Sequence, residues 1–354
     1  MSSTAPPKIE PEPSLPTLGF GRASLQILRR SLTHVARVTV VIALPVLLLP
    51  VLITLDPYSG PRLPDWEVLT SRVETLRFQI GVAIGVAALW LLACRAWRFG
   101  SVGLLLCGWA VLPTVLWPGT HRQAIPDAPS LRVLSINLGG DHGEASRVLG
   151  VLRDAEADVF VLQEYTPRWQ ERLAEPLAGA FPHRREQPRG DNFGMAIFSR
   201  VPWSSVKPFV FHASRTPQYR LEFEFGTTRI VLYAIHLLPP TRGLYEAHRQ
   251  ECAELLRRLA AEDAPTAAIG DFNFVDHGPV GRALHDLEFF DAHGIAGSGR
   301  GATWPVHAWL HRLPGIRIDH IYVGAGLTST EAWVGARTGS DHRPIGGTIT
   351  LGRE

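Results

Sequence analysis

The chain has 354 residues, a formal net charge of +2 and only 19% charged side chains. So small a net charge gives no strong electrostatic case for nucleic acid as the main partner. The low charged fraction, with a mean hydropathy of +0.06, points to a membrane part rather than to a wholly soluble enzyme.

Residues 1–20 are rich in proline and serine and are predicted to be disordered. With the arginines that follow they make a basic N-terminus up to residue 37. Three apolar runs come next, Val38–Leu55, Phe78–Cys94 and Phe99–Trp117, each near the roughly 20 residues that a spanning helix needs. No amphipathic period interrupts them, which argues against buried core helices. We therefore expect three spans in a transmembrane region over 38–117. Arg22, Arg29, Arg30 and Arg37 precede the first run, the loop from Asp56 to Arg77 is mixed, and the turn Arg95–Arg98 is basic. Under the positive-inside rule this gives inside, outside, inside. The expected location is a multi-pass protein of the inner (cytoplasmic) membrane, with everything after Trp117 on the outer, periplasmic face. Arg29-Arg30 also allows a twin-arginine export signal, but no small-residue cleavage site follows and two more runs do. Cys94, Cys107 and Cys252 form no CxxC pair, so a disulfide framework or thiolate zinc site is not expected.

Residues 118–130 read as a proline-rich linker. From 131 to 354 short β runs alternate with helical stretches. LRVLSIN, ADVFVLQ, FGMAIFSR, VKPFVFH, YRLEFEF, TRIVLYAIH, TAAIGDF, IRIDHIYV and PIGGTITL read as strands. Helices are expected at Gly143–Ala155, Arg168–Leu177 and Tyr245–Ala261, the last with its apolar residues on one broad face. The fold class is mixed α/β, rich in antiparallel strands.

Polar residues punctuate the ends of these runs. Glu164 closes VFVLQ and is a hard oxygen donor of the kind Mg²⁺ prefers. Asn137 closes the first strand, where its amide can hold a metal-bound water or a phosphate oxygen. Asp271 and Asn273 flank Phe272, and strand alternation would put both polar side chains on one face. Asp271 can then orient or deprotonate a water, and Asn273 can donate to a phosphoryl oxygen. Carboxylates and amides at strand ends suit a divalent metal and a phosphate, so metal-assisted phosphoester hydrolysis is the first reading.

The ordered set SINL, LQE, IHL, GDFN, RIDHI and SDHRP resembles the endonuclease/exonuclease/phosphatase, DNase-I-like, superfamily. It is similar in layout to a membrane-anchored bacterial branch of VanJ-type proteins, linked with glycopeptide resistance and undecaprenyl pyrophosphate turnover. The resemblance runs from Leu131 to about Leu351 and implies a four-layer α/β/β/α sandwich with Mg²⁺ or Mn²⁺ dependence. It implies that Glu164, with Asn137 and Asp341, forms the metal site, and that His342 contacts the scissile phosphate. It also places Asp319 against His342, a pair that would fix the imidazole tautomer and raise its pKa. Either the Asp319–His342 pair or Asp271 is then the base. His236 takes the place of a general acid or phosphate donor. One departure stands out: the DNase branch has an acidic residue in the strand corresponding to FGMAIFSR, where this chain has Gly194, Met195 and Ala196, with only Asp191 and Asn192 nearby. His320 should point away from the site, and Cys252 should be a buried small hydrophobe.

Three functions compete. A lipid headgroup or lipid-linked pyrophosphate substrate follows from the spans and from Trp304, Trp309 and Leu310, which can dip into an interface. A tethered nuclease would use Arg184, Arg185, Arg189, Arg215 and Arg220 as a phosphate track, diluted by Glu186, Glu222 and Glu224. A non-catalytic membrane scaffold would not need so full a polar set. No protein partner is expected.

Overall fold

The computed structural model describes residues 22–55, 64–116, 122–306 and 315–353. The expected disordered tail over 1–20, the end of the third run at Trp117, the linker residues 118–121, and Trp309 and Leu310 lie outside the described residues.

Four helices open the chain: α1 (Arg22–Leu55), α2 (Pro64–Thr75), α3 (Arg77–Ala93) and α4 (Trp97–Val115). The helix of the first run starts at Arg22, inside the stretch assigned to the basic N-terminus, because no proline lies between Pro16 and Pro45 to stop it. Ser24–Leu47 and α4 are each long and apolar enough to cross a membrane. The 17-residue α3 reaches that length only together with Val68–Thr75, from which it bends by 63°. Two or three candidate spans therefore stand at the N-terminal side and suggest membrane association. Small residues set their packing: a Cβ at Gly81 would lie 2.6 Å from Val111 and one at Gly103 2.8 Å from Ala88, distances that only a missing side chain allows. Outward-facing Val86, Leu89 and Leu105 stay exposed.

The bend between α2 and α3 touches the rest of the protein. Glu74 forms an ion pair with Arg77 at 3.2 Å and lies 3.9 Å from Arg282. Its carbonyl oxygen meets His277 Nε2 at 3.0 Å, and Gln79 donates to the Gly315 carbonyl at 3.4 Å.

The remainder is two stacked sheets between helices. The first sheet joins β1 (Gln123–Ala124), β2 (Ser130–Asn137), β3 (Val159–Gln163), β4 (His183–Gln187), β5 (Met195–Ser199), β12 (Leu327–Val334) and β13 (Ile345–Arg353), in the order β1-β13-β2-β3-β5-β4 with β12 also on β13. The second has the order β10-β11-β9-β8-β7-β6, from β6 (Ser205–Val210), β7 (Pro217–Phe225), β8 (Thr228–His236), β9 (Thr266–Asp271), β10 (Phe290–Asp291) and β11 (Asp319–Val323). Val159 and Val161 of β3 face Leu232, Ile269 and Ile321 of the other sheet in the shared core. The alternate residues Phe160 and Leu162 pack outward on Val148 and Leu152 of α5 (Ala145–Asp154) and on Trp169 and Leu173 of α6 (Pro167–Ala178). On the far side, Tyr233, Ile235 and Ala268 pack on Cys252, Leu255 and Leu259 of α7 (Tyr245–Ala260) and on Leu284 of α8 (Pro279–Asp286). Both faces of the central strands are buried, which is why they read as continuous apolar runs rather than as alternating ones. The result is the expected α/β/β/α sandwich.

Some elements went unanticipated. Gln123–Ala124 of the expected linker pairs with β13 as an edge strand. β4 has the sequence HRREQ, a polar edge without an apolar period, and β12 carries a register shift between Ser329 and Glu331.

Candidate active site

The two sheets bring their polar strand ends to one edge of the sandwich. β8 and β9 are parallel, with His236 opposite Asp271, and β11 is antiparallel to β9, with Asp319 opposite the same Asp271. Backbone register alone thus sets His236, Asp271 and Asp319 in one row. The contact between β8 and β9 at this point depends on Gly270 (φ +144), where a Cβ would fall 1.9 Å from the Ile235 carbonyl oxygen. In the other sheet β2 and β3 run parallel with Asn137 opposite Gln163, which leaves Glu164 as the next residue out.

His342 closes the row from a loop. Its Nδ1 meets Asp319 Oδ2 at 2.9 Å and Oδ1 at 3.2 Å, and its Nε2 lies 3.8 Å from Asp271 Oδ2. Thr303 Oγ1 accepts from the backbone N–H groups of Ile318 and Asp319, and Ser340 Oγ accepts from the His342 N–H, so both partners are held from behind. Burial works against a charged imidazole, yet Asp319 and Asp271 outweigh it and push His342 up to about 10. Burial also opposes the Asp319 carboxylate, but the facing imidazolium holds its pKa below the usual carboxylate range. Asp271 goes the other way: burial and the negative charge of Asp319 raise it. His342 is therefore a cation between two carboxylates, and of those Asp271 holds its proton more readily.

This predicts a specific response. Because His342 is raised in the folded protein, its bond to Asp319 stabilises fully below the ordinary histidine pKa, and that contribution disappears as pH climbs through about 10. Asp319→Asn should bring the His342 pKa down. Imidazole resonances followed by NMR titration would check this, and an unmoved midpoint would show that Asp319 does not set the charge.

Asn137 is 1% exposed and ties the two sheets together. Its Nδ2 donates to Asp271 Oδ2 at 3.0 Å and to Glu164 Oε1 at 3.3 Å, while its Oδ1 accepts from the Gly139 N–H. In this arrangement the amide presents donors to both carboxylates. Glu164 sits at φ +55, a left-handed conformation that costs a non-glycine residue of the order of 1–3 kcal/mol and is held by its surroundings. Burial raises its pKa and the Asp341 carboxylate raises it further.

Glycines 139 and 140, both at positive φ, keep the space between these acids open. A Cβ at Gly139 would meet Ser340 Oγ at 2.9 Å and Asp341 Oδ1 at 3.3 Å, and one at Gly140 would lie 3.8 Å from Glu164 Oε2. The cradle is thus rimmed by hard carboxylate oxygens of opposing strands and loops, the donor chemistry Mg²⁺ or Mn²⁺ takes. Among the described residues, the group of three such side chains close enough to share one ion is Asp271, Asp319 and His342, within 4.8 Å of one another. Its imidazole Nδ1 is already bonded to Asp319, which leaves Nε2 turned toward Asp271.

The remaining expected residues behave less simply. Asn273 does not continue the strand: β9 ends at Asp271, and Asn273 turns left-handed at φ +53, with its N–H on Asp271 Oδ1 at 2.9 Å. A turn, not alternation, brings it beside Asp271, while Phe272 is buried on the opposite side. Its Nδ2 donates to the Leu237 carbonyl at 2.8 Å. His236 is buried 3.8 Å from Asp271, and its Nδ1 has no hydrogen-bond partner. Burial and the His342 charge lower its pKa to about 4, so the ring is neutral. Among the described residues no acidic side chain bonds its Nδ1, and Asp191 is bound by Arg189 at 2.8 and 2.5 Å. His320 points away as expected, to Asp291 and the Phe274 carbonyl, and Cys252 is buried beside Leu255.

Two contributors were missed. Gln218 clamps both the N–H and the C=O of His236, at 2.7 and 2.8 Å. Trp304 donates its indole N–H to Asp341 Oδ2 at 2.9 Å, an inward role where the sequence suggested a membrane-dipping one. Neither carries a local sequence signal, since each acts on a partner far along the chain.

The sequence profile of the endonuclease/exonuclease/phosphatase family matches residues 134–342, the span that holds every one of these side chains. The chain belongs to this family. Endonuclease/exonuclease/phosphatase members are metal-dependent phosphoester hydrolases and nucleases, so the chain is a hydrolase of that class. Solved structures agree on the fold. A humanized D. rerio TDP2 has a TM-score of 0.52 at 18% identity, covering 63% of this chain and 99% of its own. An endonuclease/exonuclease/phosphatase of Bacteroides vulgatus gives the same four figures. A D. rerio TDP2 complexed with single strand DNA product has a TM-score of 0.52 at 17% identity, over 63% and 99%. No curated protein matches the chain by sequence.

Proposed function

We propose that this chain is a membrane-anchored, Mg²⁺- or Mn²⁺-dependent phosphoesterase that cleaves a phosphate ester or pyrophosphate of a lipid headgroup or lipid-linked substrate at the outer, periplasmic face of the inner membrane. The observation that carries this reading is the polar row Asp319, His342, Asp271, Asn137 and Glu164, set in a domain that is itself held against apolar helices.

Glu164 and Asp341 would hold the ion, with Asn137 beside them. When bound, the ion supplies Lewis-acid neutralisation of charge on the phosphoryl oxygens. Asp271, with its raised pKa, takes the proton of the attacking water, and the Asn137 amide keeps it aimed. His342, charged and fixed by Asp319, donates to the phosphoryl oxygen as negative charge grows there. Asn273 and neutral His236 orient the same group by hydrogen bonds. The alternative assignment, with the Asp319–His342 pair as base, requires a neutral His342 and is disfavoured by the two carboxylates around it.

A tethered nuclease is the second reading, favoured by the likeness of fold to a TDP2 solved with a DNA product. Against it, three of the five arginines of the expected phosphate track are neutralised: Arg184 by Glu186, Arg189 by Asp191, and Arg220 by Glu222 and Glu262. The test is phosphate release by the full-length protein in detergent with Mg²⁺, given undecaprenyl pyrophosphate and plasmid DNA side by side. Release from the lipid alone supports the proposal, and nicking of DNA with the lipid untouched replaces it by the nuclease. Orientation has its own check. A reporter active only in the periplasm, fused after Glu354, should be active, and a silent one beside an active cytoplasmic reporter would reverse the orientation.

A further inference from the structure

A cavity of 460 Å³ lies between the 300–306 segment and the end of β12, with Trp304 in its lining. Its charged lining among the described residues is Arg300 and Arg343, and no carboxylate takes part. The buried Nε of Arg300 has no hydrogen-bond partner, and its guanidinium lies 3.5 Å from the ring centre of Phe78. Arg300 is half-buried, a buried N–H without an acceptor is costly, and burial lowers the Arg300 pKa. The face of Phe78 offsets part of that cost but offers no acceptor.

Two walls are shared with the reaction centre. Trp304 holds Asp341 through its indole N–H, and Thr303 holds the backbone of Asp319. Arg343 directly follows His342. Phe78 is the second residue of α3, just after the bend from α2, so Arg300 stands against the helices of the candidate spans. A forked guanidinium matches phosphate oxygens in pairs, and two of them without a competing acid form an anion site with a preference for phosphate.

We propose that this cavity is a phosphate-binding subsite, separate from the reaction centre, in which Arg300 and Arg343 receive a second phosphate group. That group comes from the substrate or a neighbouring lipid, or from free phosphate. The inference rests on the phosphoesterase reading only for placing this group beside a scissile one.

The test is binding, kept apart from turnover. Full-length protein carrying Asp271→Ala, in detergent with EDTA, is titrated by calorimetry with dihexanoyl phosphatidic acid and, separately, with inorganic phosphate. Saturable binding is expected, weakened about tenfold or more by Arg300→Gln and by Arg343→Gln, and partly restored by Arg300→Lys. Tighter binding of the lipid than of phosphate identifies a lipid phosphate as the occupant, and equal binding identifies free phosphate. No saturable binding of either probe, or affinity unchanged in both glutamine variants, overturns the proposal. If Arg300→Gln does not fold, Arg300→Lys and Arg343→Gln carry the comparison. Because no turnover is read, loss of the catalytic reading would leave this result standing.

Discussion

Asp271→Ala should lower turnover by about a thousandfold, within the range for loss of a general base, while the domain stays folded. The side chain is 1% exposed and stands where three lines of the site cross: the Asn137 amide, the row of strand ends, and the imidazole of His342. Asp271→Asn is the sharper control. It keeps the shape and removes a carboxylate that Asp319 and burial both disfavour, so thermal stability should hold or rise even as turnover disappears. His342 would then lose one of its two anions and titrate lower. A folded Asp271→Asn protein with unchanged turnover would remove Asp271 from the chemistry altogether.

Glu164→Ala should abolish Mg²⁺-dependent turnover as completely, for a different reason. The left-handed backbone at Glu164 and the glycine turn opposite it create a gap rimmed by its carboxylate and that of Asp341. Without Glu164 the gap keeps too few hard oxygens, and Mn²⁺ binding followed by electron paramagnetic resonance should weaken by about tenfold or more, as loss of a ligand group implies. Glu164→Gln separates charge from shape: its amide keeps the contact region near Asn137 but not the negative charge. Metal affinity and turnover falling together in both variants is the expected pattern. Turnover lost with Mn²⁺ affinity intact would move Glu164 out of the metal site and onto the substrate.

The central strands were legible because their chemistry is local. Residues such as Phe160, Leu162, Val231 and Ile269 make apolar runs, and the polar residue that ends each run marks the edge of a sheet. Asp319 facing His342 was implied by the family resemblance, since His342 comes from a loop and no strand pattern places it. What was not legible depends on distant partners. Gln218 acts on a backbone 18 residues away, and Trp304 reaches Asp341 across 37. Asn273 lay within the strand pattern but obeys the side-chain turn that Asp271 imposes on it. β4 is an edge strand of polar residues, exposed along most of its length, and HRREQ offers no apolar alternation by which to recognise it.

The bend between α2 and α3 has a kinetic meaning. Glu74 meets His277 and Arg282 there, and Gln79 and Phe78 meet Gly315 and Arg300, so the hydrolase domain is seated on the helices rather than swinging from a tether. Under the proposed function, enzyme and substrate then diffuse in the same sheet of lipid. Their encounters are counted per unit of area, so diluting the protein in buffer should leave the rate alone, whereas adding inert lipid should slow it in proportion.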